Sequence, residues 1–232
     1  MTAKGSWLAH TPADIDRMSK EIDVDVPERA EGRTSDHTER YSFARLLPHM
    51  KAELDFPLMA IHTDKPDFLL VSTLQRIGIE HVEAVPENVA EADFLRGKGH
   101  GAETWFMQRA IVGERRKSSK RILKEIAADD PGEAWIGDAS ERDTAEAIVH
   151  FATQKVGTCT KPDFGRYDKN ILAIYNNWPG PALDFRKSIS IAHPSLTSAG
   201  VFDCFDMVAV IDSTEIAITG RDGFTIEKLE SP

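Results

Sequence analysis

Lys65-Pro66-Asp67-Phe68-Leu69-Leu70-Val71-Ser72, followed by Arg76-Ile77-Gly78-Ile79-Glu80-His81-Val82-Glu83-Ala84-Val85, is the stretch on which the fold turns. Two short apolar runs stand four residues apart, and a third, Pro57 to His62, precedes them. Runs this short and this close predict strands over Pro57–His62, Phe68–Ser72 and Arg76–Val85, paired as an antiparallel meander. Side chains alternate along a strand, so Ile77 and Ile79 share one face and Gly78, Glu80 and Val82 share the other. Asp67, Leu69 and Val71 share a face of the preceding strand, which lets Asp67 meet Glu80 across the hairpin. His81 and Glu83 fall on the opposite, apolar face, as a polar pair at the strand end or as support for the acids.

Working outward, Phe43, Leu46, Leu47, Met50 and Leu54 recur at helical spacing, with Ser42 as the expected cap. Upstream, Thr11 as N-cap with Pro12 and Asp14 predicts a helix carrying Ile15, Met18 and Ile22. The charged segment 25–40 reads as loop, so residues 1–40 are expected to form an N-terminal helical and loop extension. The rest, 41–232, is expected as a single α/β domain with an insertion over 86–139. Within that insertion, one helix is predicted over 114–128 from Ile122 and Ile126. A helix from Ser140, with Asp143 in a capping-box position, follows from the apolar stripe Ala145, Ile148, Val149, Ala152 and Val156. Ile171–Tyr175, Met207–Ile211 and Glu215–Thr219 complete the strands. Strands mixed with helices in this order predict an α/β fold, a mixed central sheet flanked by helices on both faces.

Composition narrows the function classes. The 232 residues are 41% hydrophobic and 28% charged, with a net charge of −10, which argues against a general nucleic-acid coat protein. Residues 109–124 reverse that sign locally through Arg109, Arg115, Arg116, Lys117, Lys120, Arg121 and Lys124. They are the candidate contact to a nucleic-acid backbone. Cys159 and Cys204 lack metal-ligand spacing and are expected as reduced core residues, with a single bridge as the alternative. A basic-then-apolar leader and a membrane-length apolar run are both missing from the sequence, so a cytoplasmic protein without a membrane partner is expected. Tyr175, Trp178 and Trp135 are candidates for base stacking or for the core.

The order αβββαβ, with Pro66-Asp67 opening one strand and Glu80 in the next, resembles the PD-(D/E)xK nuclease superfamily and its restriction-endonuclease-like core. In wording, Lys65-Pro66-Asp67-Phe68 and Ile77-Gly78-Ile79-Glu80-His81-Val82-Glu83-Ala84-Val85-Pro86-Glu87-Asn88 are similar to a stretch carried by a group of bacterial proteins. That similarity continues through Asn170–Pro179. The resemblance implies that Asp67 and Glu80 are ligands for Mg²⁺ or Mn²⁺, and that the metal activates water for attack on a phosphodiester. The superfamily's lysine, two residues after the acid, falls on Val82. Similarity to members that carry it on the following helix makes Gln154 or Lys155 the replacement. The expected function is therefore a Mg²⁺-dependent nuclease-like hydrolase. Its alternative is a catalytically inactive interaction module on the same scaffold, with 86–139 as the partner surface.

Overall fold

The computed structural model describes residues 3–104, 106, 109–159, 161 and 164–229. Its frame is an eight-stranded mixed sheet in which neighbouring strands follow chain order. β1 (Gly5–Ala9), β2 (Leu58–His62), β3 (Phe68–Val71) and β4 (Arg76–Ala84) pair antiparallel. β5 (Lys169–Asn176) and β6 (Met207–Ile211) then join β4 in parallel. β7 (Glu215–Gly220) and β8 (Gly223–Lys228) close the far edge antiparallel. Parallel neighbours need a crossover, and two helices supply it: α5 (Ala139–Cys159) between β4 and β5, and α6 (Phe185–Ser198) between β5 and β6. Every residue of Met207–Ile211 is buried, as expected of a central strand covered on both faces.

Alternation divides the sheet between two cores. Ile77, Ile79, Ile171, Ala173 and Ala209 pack on α1 (Asp14–Glu21) and α2 (Ser35–Met50), chiefly on Phe43, Leu46, Leu47 and Met18. Leu172, Ile174, Val208 and Val210 pack on α5 and α6 through Ile148, Ala152, Ile189 and Leu196. Fully burying a side chain such as Leu46 stabilises the fold by about 2–3 kcal/mol. The 86–139 segment carries α3 (Glu87–Gly97) and α4 (Ser119–Ala128), which bury only a small cluster of Leu95, Ile122 and Ile126 between them.

Several local expectations need correction. The helix expected to be capped by Ser42 begins eight residues earlier, because Thr34 caps it: its N–H donates to His37 Nδ1 (3.1 Å), in a box built with histidine. Ser42 is instead buried in mid-helix. Thr11 does not cap α1; the Asp14 carboxylate in the first turn accepts from the His10 and Thr11 N–H groups. The helix expected over 114–128 starts at Ser119, capped by Ser118. Asp143 makes no capping box, since both its carboxylate oxygens accept from Arg109. Residues 5–22 are no appendage: β1 pairs with β2, and Ala9, Ile15, Met18 and Ile22 lie in the core. Three further elements lie outside the expectation altogether: α3, α6 and β8. Cys159 and Cys204 form a disulfide, with Cα atoms 6.3 Å apart.

Candidate functional site

Asp67 stands immediately before β3, where Phe68 pairs with Ile79, so one further step of the register sets it beside Glu80. Its backbone is fixed by the tight β2–β3 connection, in which the Thr63 N–H donates to the Asp67 carbonyl (2.9 Å). Its carboxylate Oδ2 accepts the His81 backbone N–H (2.6 Å), which aims the group at the sheet end. Glu80 lies in mid-β4 on the α5 face, paired with Leu172. From that helix Lys155 reaches down: its Nζ is 2.9 Å from Glu80 Oε2 and 4.0 Å from Asp67 Oδ2. Strand start, strand middle and helix end thus converge on one ammonium and two carboxylates. Gln154 does not join them. Its amide meets His150 Nε2 (2.9 Å) on the exposed side of α5.

The electrostatics of this trio are unbalanced. Burial pushes the Asp67 carboxyl up to about 7; Lys155 and the His81 N–H pull it down, while the charges of Glu80 and Glu39 push it up. Near neutral pH the site therefore holds a carboxyl poised between its two forms. On the other face of β4, burial pushes His81 down to about 3, so its imidazole is neutral, with Nε2 3.0 Å from Ser42 Oγ. Oxygen donors from rigid strands, one of them short of compensating charge, fit a hard divalent cation completed by water. Asp67 and Glu80 are the side chains that would hold it.

Two cavities meet at this point, both lined by Asp67 and Lys155. One, of about 280 Å³, contains Glu80, Lys65, Lys161 and Tyr167. Tyr167 occupies space that Gly78 leaves open, since a Cβ at 78 would overlap its ring. A glycine inside a strand signals close approach, and Gly78 was the available clue to this aromatic wall. The second cavity, of about 370 Å³, opens beyond the α2 end of β4 and contains Arg29, Arg33, His81 and Glu83.

A second polar cluster lies at the start of α2. Ligand atoms of Asp36, Glu39 and His62 lie within 4.8 Å of one another. Here His62 Nε2 meets Glu39 Oε2 at 2.7 Å, and Lys4 Nζ sits 2.9, 3.8 and 3.1 Å from Asp36, Glu39 and Asp64. His62 is thereby engaged with Glu39 and stacks on Phe68.

The basic stretch 109–124 is partly neutralised. Arg109 pairs with Asp143, Lys117 with Glu114 and Glu125, and Arg121 with Glu125. Arg115, Arg116, Lys120 and Lys124 are exposed and make no ion pair among the described residues. Trp178 is buried, and Tyr175 packs against Tyr41 (5.1 Å); Trp135 is half-buried. Among the described residues, no helix is long and apolar enough to cross a membrane. Comparison with protein-family models, curated proteins and solved structures finds no match to this chain.

Proposed function

We propose that the chain is a metal-dependent phosphodiesterase built on a restriction-endonuclease-like core, with a nucleic acid as substrate. The observation that carries this reading is the convergence of Asp67, Glu80 and Lys155 from three separate elements. The run α2-β2-β3-β4-α5-β5, with two antiparallel pairings followed by a parallel one, supports the core assignment. Asp67 and Glu80 would hold Mg²⁺ or Mn²⁺, which supplies polarisation of the phosphate and a water of lowered pKa. Lys155 replaces the lysine that Val82 displaces from β4. Its ammonium, fixed by Glu80, orients the attacking water and stabilises charge on the phosphate oxygens. Arg115, Arg116, Lys120 and Lys124 are the side chains left to contact the backbone of a strand, with Lys117 and Arg121 engaged by acids.

A second reading, an inactive interaction module, draws on the exposed Ile111 and Ile136 of the 86–139 segment. Plasmid and RNA cleavage with Mg²⁺ or Mn²⁺, run on the wild type and Glu80→Gln, separates the two. The enzyme reading expects cleavage that the substitution abolishes. Absence of cleavage by the wild type across metals and substrates favours the module.

A further inference from the structure

Arg29 and Arg33 enter the cavity beyond β4 from the turn and loop preceding α2, and both guanidinium groups converge on a single oxygen. Arg29 Nη2 lies 2.6 Å and Arg33 Nη2 2.7 Å from Glu83 Oε1, which also accepts from Asn177 Nδ2 at 2.7 Å. One carboxylate thus faces two permanent cations, in a setting where their side chains are only 17% and 12% exposed. The Nε–H groups of both arginines are buried without a hydrogen-bond partner. Asp93 approaches Arg29 Nε only to 3.9 Å and is itself partly exposed. Buried guanidinium groups normally satisfy their forks, so each Nε–H lacks an acceptor, while the Arg33 guanidinium also lies over the Tyr175 ring at 5.9 Å.

The surroundings match an oxyanion. The hydroxyl-bearing Thr34 and Ser35 at the N-terminal end of α2, and Lys155 from the reaction centre, line the same cavity. Its other acids are otherwise engaged: Glu39 with His62 and Lys4, and Asp67 at the metal position. A phosphate is tetrahedral and offers several acceptor oxygens, two of which at a time can face a planar guanidinium fork, whereas Glu83 gives both arginines a single shared oxygen.

We infer that Arg29 and Arg33 form a phosphate-binding subsite for the substrate strand, next to the Asp67–Glu80–Lys155 centre. This assignment rests on the reading of that centre as a phosphodiesterase. The phosphate is either the terminal group of a nucleic-acid end or an internal phosphate beside the scissile one. Either would set the register of the strand relative to the metal.

The test measures binding without cleavage: anisotropy of single-stranded oligonucleotides in chelator, with a 5′-phosphate, a 3′-phosphate or hydroxyls at both ends. A terminal-phosphate site gives about tenfold tighter binding of one phosphorylated oligonucleotide, lost in Arg33→Gln and competed by inorganic phosphate. An internal-phosphate site gives equal binding of all three, weakened about tenfold by Arg29→Gln or Arg33→Gln. Equal binding of all three that neither substitution changes overturns the inference. Should the arginine variants not fold, Glu83→Gln keeps the test: relieved of the competing charge, it tightens binding, and unchanged or weaker binding overturns the inference. A phosphate preference in a protein that never cleaves leaves the subsite standing and removes the nuclease reading. Cleavage without any effect at Arg29 and Arg33 does the reverse.

Discussion

Two polar clusters flank the β2–β3 hairpin, each with one lysine among acids, and they have opposite electrostatic characters. At Lys4, the lysine hydrogen bond holds Asp36 below the ordinary carboxylate range. Glu39 is also held low: burial opposes its charge, but His62 and Lys4 more than offset this. Burial opposes the Lys4 charge as well, and its bonds to Asp36 and Asp64 raise it regardless. There the fold favours the ionised groups. At Lys155, the same ingredients leave Asp67 raised to about 7, so the fold makes its charge costly. The first cluster is already compensated and needs no ion, although its atoms are close enough to hold one. The second has a deficit that a divalent cation would fill, and it opens onto two cavities. Unrelieved electrostatic cost, rather than acid count, marks the functional candidate.

Changes that test this contrast follow in order of expected size. Glu80→Gln or Lys155→Ala should lower metal-dependent cleavage by at least about 100-fold, with circular dichroism unchanged. Lys4→Met should leave cleavage within about twofold, a comparison that fails if the Lys4 cluster is the true centre. Asp67→Asn should act on stability as well as activity. Because the folded pKa of Asp67 exceeds the usual 3.8, the folded state keeps this proton between about pH 4 and 7 while the unfolded chain releases it. Its contribution to stability is therefore full below that window and lost as pH rises through it. Asp67→Asn should thus stabilise the protein by about 2–4 kcal/mol at pH 8 and by almost nothing at pH 4, read by urea denaturation. A variant less stable than wild type at pH 8 would contradict the assigned cost. Lys4→Met should destabilise by about 1–3 kcal/mol near neutral pH, because it leaves buried Glu39 with less compensation. A neutral effect would mean that the cluster is not held by its lysine.

The same contrast explains what the sequence disclosed. Strands with short apolar runs were legible: Met207–Ile211 was expected with the bounds observed, and the three meander strands to within a residue or two. Alternation set Asp67 beside Glu80 because a one-step change in register would turn the whole strand over. Edge strands gave less signal, since β1 alternates half-buried and exposed residues before Ala9, and β8 has only half-buried and exposed ones. In α6, Pro194 interrupts the helical pattern. That Lys155 reaches Glu80 while Gln154 meets His150 was encoded in helix phase. Lys155 follows core residues Ile148 and Ala152 by seven and three positions, whereas Gln154 lies one turn beyond half-buried His150. Glu39, Arg29 and Arg33 were hidden because their segment reads as a charged loop. Their partners, His62 and Glu83, lie 23 to 54 residues away in sequence. Pairings of that kind belong to the folded sheet and leave no local pattern.

The most direct test of the Asp67–Glu80 centre is the thermal shift produced by Mg²⁺ or Mn²⁺ at pH 8 and at pH 5.5, in wild type and Glu80→Gln. Binding must displace the Asp67 proton at low pH. The account predicts a clear rise in Tm for the wild type at pH 8, a much smaller one at pH 5.5, and none in the variant. An equal rise in Glu80→Gln, or no rise in the wild type at pH 8, would contradict it.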